Sequence, residues 1–262
     1  MRLPAPLAAL TEFFARPTDG GSIWRQRRCV HCLRPFHPAA EEDISGHPAA
    51  LLCPECRIPL AASPHNRCRH CAVPLHGGTA HVLCGACLQN PPSWSLAACH
   101  GLYGGALRDV LLRLKYDGHM YLAPLLGGFL LEACSCLPRP DAVVAVPRHA
   151  RRLRQRGYDQ AHEIAAAFCA HSGLHLARGF LTRPVPVQTQ AGLSALQRQR
   201  NVGGSFAAAP KVRGLRLWIV DDTMTTGSTM EAAARALLAA GAARVDALFV
   251  ARTPRSAADC AT

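Results

Sequence analysis

Val220-Asp221-Asp222-Thr223-Met224-Thr225-Thr226-Gly227-Ser228-Thr229 reads as the end of a buried strand, a tight turn and the start of a helix. Residues 214–220 before it form a short, largely apolar run, and residues 229–240 after it carry helical apolar spacing that stops at Gly241. Such a junction is an anion site. Gly227 permits close backbone approach, the amides of residues 223–229 face a concavity, and the helix start adds partial positive charge. The hydroxyls of Thr225, Thr226, Ser228 and Thr229 supply further donors, so a phosphate group fits. Asp221 and Asp222 would repel phosphate, and at the rim they suit sugar hydroxyls or Mg²⁺. A well-capped helix beside solvated acids is the simpler alternative. It accounts for Ser228 or Thr229 as a cap but leaves the acid pair unexplained.

Outward from this turn the chain alternates strands and helices. Helical spacing is expected over 103–116, with Leu107, Val110, Leu111 and Leu114 on one face, then over 122–134 and 162–171. Short apolar runs at 142–146, 214–220 and 245–250 predict buried strands. The alternation implies an α/β fold with a parallel sheet flanked by helices and a ligand at the carboxyl edge of the strands. One such domain fits 92–262, beyond the boundary Asn90-Pro91-Pro92.

Ahead of that boundary stand four Cys-x-x-Cys pairs: Cys29/Cys32, Cys53/Cys56, Cys68/Cys71 and Cys84/Cys87, separated by 20, 11 and 12 residues. A two-residue gap lets one turn present both sulfurs to a common ion, and two such turns complete a tetrahedron, so two structural Zn²⁺ sites are implied. Sequential pairing closes the shorter loops; cross-bracing is the alternative. A disulfide framework fits less well because no secretory signal is read ahead of these cysteines, and thioredoxin-like redox chemistry because its pair would stand alone beside a βαβ pattern rather than four in series among Pro and Gly. His31 and His70, inside two of the turns, are alternative ligands. Few apolar residues separate the pairs, so metal rather than a core is expected to hold 27–90 together. The other cysteines show no ligand spacing and read as packing residues, and no histidine pairs with a nucleophile.

Residues 1–26 read as a helical segment. Leu3 to Leu10 is apolar but ends at Thr11 and Glu12, giving a short amphipathic helix rather than a secretion signal. No apolar run approaches the roughly 18 residues a membrane span needs, so membrane insertion is not expected and a cytoplasmic location is. The 262 residues carry a formal charge of +12, almost wholly from Arg, since Lys115 and Lys211 are the lysines. That suits phosphate-bearing partners. Five arginines fall within residues 148–156, namely Arg148, Arg151, Arg152, Arg154 and Arg156.

The turn at 220–229 resembles the phosphoribosyl-pyrophosphate (PRPP) signature of type I phosphoribosyltransferases. The four Cys pairs, Cys84-Gly-Ala-Cys-Leu-Gln-Asn-Pro-Pro-Ser-Trp94, Leu114-Lys115-Tyr116, Val146-Pro147, Arg156-Gly157-Tyr158-Asp159-Gln160, and Gln190 through Arg198-Gln-Arg-Asn201 to Phe206 together resemble the ComF family, especially its GntX-like branch. Asp159 departs from the Asn usual there. The resemblance implies a type I phosphoribosyltransferase fold behind a zinc-ribbon-like module. It also implies that Asp221 and Asp222 hold the ribose hydroxyls as catalytic acids, while Thr223, Met224, Thr225, Thr226, Gly227, Ser228 and Thr229 wrap the 5-phosphate. Pro147 and Arg148 would form the pyrophosphate loop, with Arg156 beyond it. A hood over 183–206 would bring Gln190, Arg198, Arg200 and Asn201 onto the diphosphate and exclude water.

The expected function is Mg²⁺-dependent phosphoribosyl transfer from PRPP to an unidentified acceptor, in a family associated with competence and DNA uptake during natural transformation. The alternative is an adaptor that binds single-stranded DNA through its arginines, partners the DNA-uptake machinery, and keeps a regulatory or inactive PRPP pocket.

Overall fold

The computed structural model describes residues 26–38, 48–62, 66–75, 83–148, 157–184 and 206–253. The expected segment 1–26 therefore lies almost wholly outside the described residues, as do Arg156, Gln190, Arg198, Arg200 and Asn201. In chain order the elements are β1 (Arg27–Arg28), β2 (Pro35–Phe36), α1 (Pro54–Arg57), α2 (Gly85–Gln89), β3 (Ala97–Leu102), α3 (Gly105–Tyr116), α4 (Ala123–Ala133), β4 (Ala142–Ala145), α5 (Gln160–Ser172), β5 (Leu181–Thr182), β6 (Ala207–Ala208), β7 (Arg216–Met224), α6 (Ser228–Ala239) and β8 (Arg244–Arg252).

Strands β3, β8, β7 and β4 lie side by side in that order and all run parallel. The two long central strands are buried along nearly their whole length, which is why they read as apolar runs. Alternation along β7 divides the interior. Trp218 and Val220 join Val110, Leu114, Leu126, Phe129, Ile164 and Phe168 in one core, beneath α3, α4 and α5. Leu217 and Ile219 join Met230, Ala233, Ala234 and Leu237 of α6 in the other. Within the first core α4 and α5 approach closely at Gly127, where a Cβ would come 2.7 Å from the Phe168 backbone nitrogen.

The parallel sheet with helices on both faces agrees with the sequence expectation, with three informative differences. Strand β7 runs on to Met224, so both acids belong to the strand rather than to the loop after it. Strand β3 was not anticipated: Ala97-Ala98-Cys99-His100-Gly101-Leu102 has no β-branched residue and gains its conformation from pairing with β8. The cysteine-rich segment also contributes more core than its composition indicates. Val30, Leu52 and Leu60 are buried in the first core and Val73 and Trp94 in the second, so each cysteine group packs into a different side of the molecule.

Candidate functional site

The cysteines form two groups, Cys29/Cys32/Cys53/Cys56 and Cys68/Cys71/Cys84/Cys87, each with its sulfurs within 4.8 Å of one another. This is the sequential pairing rather than the cross-braced one. The two groups share one local design. The first pair of each sits in a tight hairpin: Leu33 N donates to Cys29 O at 2.8 Å and Cys29 N to Arg34 O at 2.9 Å, while Ala72 N donates to Cys68 O at 2.8 Å and Cys68 N to Val73 O at 2.9 Å. Leu33 and Ala72, each just after the second cysteine, take left-handed φ values of 63° and 54°. The second pair of each straddles a helix start, with Cys53 and Cys84 as N-caps of α1 and α2.

Sulfur contacts of 3.6 Å, Cys32 to Cys53 and Cys71 to Cys84, lie near the roughly 3.8 Å edge of a tetrahedron with 2.3 Å metal–sulfur bonds. They are far from the roughly 2.05 Å of a disulfide. The residues therefore fit zinc. Four thiolates leave no open position, so the ion would cross-link rather than react. His31 Nδ1 lies 3.4 Å from Cys56 Sγ, a contact to a ligand atom from outside the group of four.

The second site lies at the carboxyl end of β7. Asp221 and Asp222 are both buried, and two cations converge on them. Arg148, just after β4, places Nη2 2.6 Å from Asp222 Oδ2 and 3.7 Å from Asp221 Oδ1. Lys115, in the last turn of α3, places Nζ 3.1 Å from the same Asp222 oxygen. The acids that would repel a phosphate are thus neutralised by groups that attract one. Burial works to raise the Asp222 pKa, but Arg148 and Lys115 outweigh it and hold that carboxyl below its ordinary range. Asp221 goes the other way, pushed up to about 7 by burial and then by Asp222.

Arg148 is itself held in place. Its backbone N–H donates to Asp159 Oδ2 at 3.0 Å, and Asp159 Oδ1 accepts from Ala161 N and His162 N as the N-cap of α5. The departure at Asp159 is therefore a helix cap that also fixes the start of the β4 loop.

These side chains line a cleft of about 590 Å³, within the usual size of a small-molecule site. Of the expected residues, Pro147, Arg148, Asp221, Asp222, Thr223, Thr225 and Thr229 border it. Met224, Thr226, Gly227 and Ser228 do not, and they line a separate cavity behind the turn. Gly227 is the N-cap of α6 at φ 85°, so the cap is backbone geometry rather than a Ser or Thr side chain. The hydroxyls of Thr223 and Thr253, both at the cleft, are buried without a hydrogen-bond partner. Polar atoms left this way mark a place for a polar guest. Sequence reasoning did not place Lys115, Tyr103 or Thr253 here, whereas Arg183 opens the segment expected to form the hood. Lys115 lies about a hundred positions from the turn, and its position in Leu114-Lys115-Tyr116 was the one available signal.

The strand, turn and helix with their twin acids define a phosphoribosyltransferase domain, and residues 139–259 match the family model of that description. The chain belongs to the ComF family. It is 34% identical to the DNA utilization protein YhgH of Salmonella typhi over 220 residues, covering 77% of this chain and 97% of that protein. It is 28% identical to competence protein F of Haemophilus influenzae, over 86% of this chain and 96% of that one. With competence protein ComFC of Bacillus subtilis it shares 26% identity over 77% and 76% of the two chains.

Proposed function

We propose that the cleft binds PRPP with Mg²⁺ and that the protein transfers the phosphoribosyl group to a nitrogen acceptor. The observation that carries this is the neutralised cluster Asp221, Asp222, Lys115 and Arg148, set beside an anion-binding turn and two unpartnered hydroxyls. The 5-phosphate would sit against Thr225 and Thr229, where the first-turn amides of α6 lack intrahelical partners. Asp221 and Asp222 would accept from the ribose hydroxyls, freeing Arg148 and Lys115 to turn toward the diphosphate. Mg²⁺ brought with PRPP would neutralise the departing diphosphate, a role suited to one or two carboxylates plus substrate oxygens.

As the acceptor nitrogen bonds to the anomeric carbon, the bond to the pyrophosphate oxygen breaks. Pyrophosphate leaves with the electron pair, and the acceptor's proton passes to solvent. The chain's part is to hold the ribose, offset charge and exclude water. Strands β5 and β6 pair with each other and Arg183, just after β5, borders the cleft; a hood carrying Gln190, Arg198, Arg200 and Asn201 would close there. Arg156 would join the same diphosphate contacts. Equilibrium dialysis of labelled PRPP with Mg²⁺ tests this reading: Asp221→Asn combined with Asp222→Asn should abolish retention, and full affinity in that variant would defeat it.

A second reading is supported by the names of the relatives, which concern DNA utilization and competence. Here the protein acts on the cytoplasmic side of DNA uptake and binds single strands through Arg151, Arg152, Arg154 and Arg156. No helix among the described residues is long and apolar enough to cross a membrane. Arg148 is committed to the acids and unavailable to DNA in this state. Affinity for an oligonucleotide measured against salt separates the readings, since several phosphate contacts give a steep slope.

A further inference from the structure

Each cysteine group hands a backbone carbonyl to an arginine of the α/β domain, but the two arginines differ in what else they hold. Arg113 Nη1 donates to His31 O at 2.7 Å and its other nitrogens go to His119 and Tyr121. Arg252, at the end of β8 and fully buried, donates from Nε to Cys71 O at 3.0 Å. Its Nη1 donates to Met224 O at 2.8 Å, to Thr225 O and to Thr253 O at 3.1 Å. One planar cation thus joins the carbonyl of a metal-ligating residue to the two carbonyls that open the phosphate turn.

Trp94 forms a second strut from the same hairpin. Its indole N–H donates to His70 O, and its ring lies 3.4 Å from where a Cβ on Gly227 would stand. A third contact comes from Ser93, whose N–H and hydroxyl both donate to Glu231 in the first turn of α6. Between the hairpin and the turn lies a cavity of about 420 Å³, so contact here runs through discrete struts rather than continuous packing. Carbonyls held in one orientation leave the following amides pointing one way, and a turn that loses them samples others.

We infer that the second cysteine group, Cys68/Cys71/Cys84/Cys87, sets the conformation of the phosphate turn through Arg252, which makes Arg252 a positioning residue and couples metal at that group to ligand affinity in the cleft. The coupling to the turn stands on geometry alone, and its effect on PRPP rests on the function proposed above. The fourfold carbonyl contact calls for a guanidinium, since an ammonium cannot present its donors in a planar fork.

Coupling between two sites is reciprocal, so the test reads both directions. In the intact zinc-loaded protein, hydrogen exchange is followed through a chelator titration. Peptides covering 230–236, whose hydrogen-bonded amides begin with Glu231 N to Gly227 O and report on the turn they spring from, should lose protection in the same step as peptides covering 68–87, separately from those covering 29–56. Retained protection at 230–236 after 68–87 has lost its own would overturn the coupling, whether or not PRPP binds. PRPP should then slow exchange in 68–87 at least fivefold in the natural protein. In Arg252→Met with both zinc ions still bound, that response should vanish and PRPP affinity should fall tenfold or more. Unchanged affinity in this variant would sink the role of Arg252. Where Arg252→Met does not fold, the chelator titration of the natural protein decides. A natural protein that shows the linked exchange step but no PRPP binding would contradict the proposed ligand and leave the coupling standing.

Discussion

Asp221 sits at a position chosen against stability. Its pKa is raised to about 7 in the folded protein by burial and by Asp222, so folding favours the protonated acid. The stability this contributes is present in full below the unfolded value near 4 and is lost as pH rises through 7. Asp221→Asn removes that titration. It should therefore leave the protein more resistant to urea than the natural chain at pH 8, with the difference shrinking toward pH 5. The same variant should lose PRPP retention. Parallel denaturation curves at the two pH values check the first outcome, and an advantage that grows toward low pH would contradict it. Such opposition between folding and function is common where charges are buried at binding sites. The sequence revealed the acids because they are adjacent and follow a strand. It could not reveal that Lys115 and Arg148 neutralise them, because those contacts depend on how α3 and β4 are brought to β7.

Among the elements, α5 shows how one carboxylate serves two ends. Asp159 caps the helix through Ala161 N and His162 N and fixes the backbone of Arg148. Asp159→Ala should cost about 1 kcal/mol of stability for the cap and weaken PRPP affinity by releasing the loop. Asp159→Asn should keep the cap but lose the hold on Arg148, since its single side-chain oxygen can accept from Ala161 N and His162 N or from Arg148 N but not from both sides, and its amide NH₂ cannot accept. Chemical denaturation and dialysis on the two variants check this: Asn should retain the stability that Ala loses while sharing its weakened PRPP affinity, and full affinity in Asp159→Asn would contradict the role given to the Arg148 contact. The strand–turn–helix at 216–239 was legible because local pattern and turn chemistry agree there. Strand β3 was not, since small residues carry no strand signal until β8 supplies a partner. The grouping of the cysteines was legible from loop length, whereas their burial in two different cores is a long-range outcome.

At the scale of the whole molecule, the cysteine groups flank the sheet and share its two cores, so metal loss should be felt throughout. The purified protein should carry two zinc ions per chain. Chelation should lower the midpoint of thermal unfolding of the α/β domain itself, beyond any local loss at 27–90. Metal analysis together with near-ultraviolet circular dichroism of a variant with Trp24→Phe and Trp94→Phe, which leaves Trp218 of the first core as the remaining tryptophan, provides the check. An unaltered Trp218 signal after complete chelation would show that the domain stands alone.

Leu33 and Ala72 bear on how long the protein keeps its metal. Both hold a backbone twist that costs a residue with a Cβ on the order of 1 kcal/mol, and both sit directly after a ligand. Each zinc grip is thus a latch closed under slight tension. Once an oxidant claims a thiolate, the relaxing main chain helps the ion depart and hinders its return. A glycine at Ala72 would slacken that latch, so Ala72→Gly should surrender zinc to a competing chelator more slowly than the natural chain. The same relaxation should make zinc loss from this protein, once begun by an oxidant, harder to reverse than in Ala72→Gly.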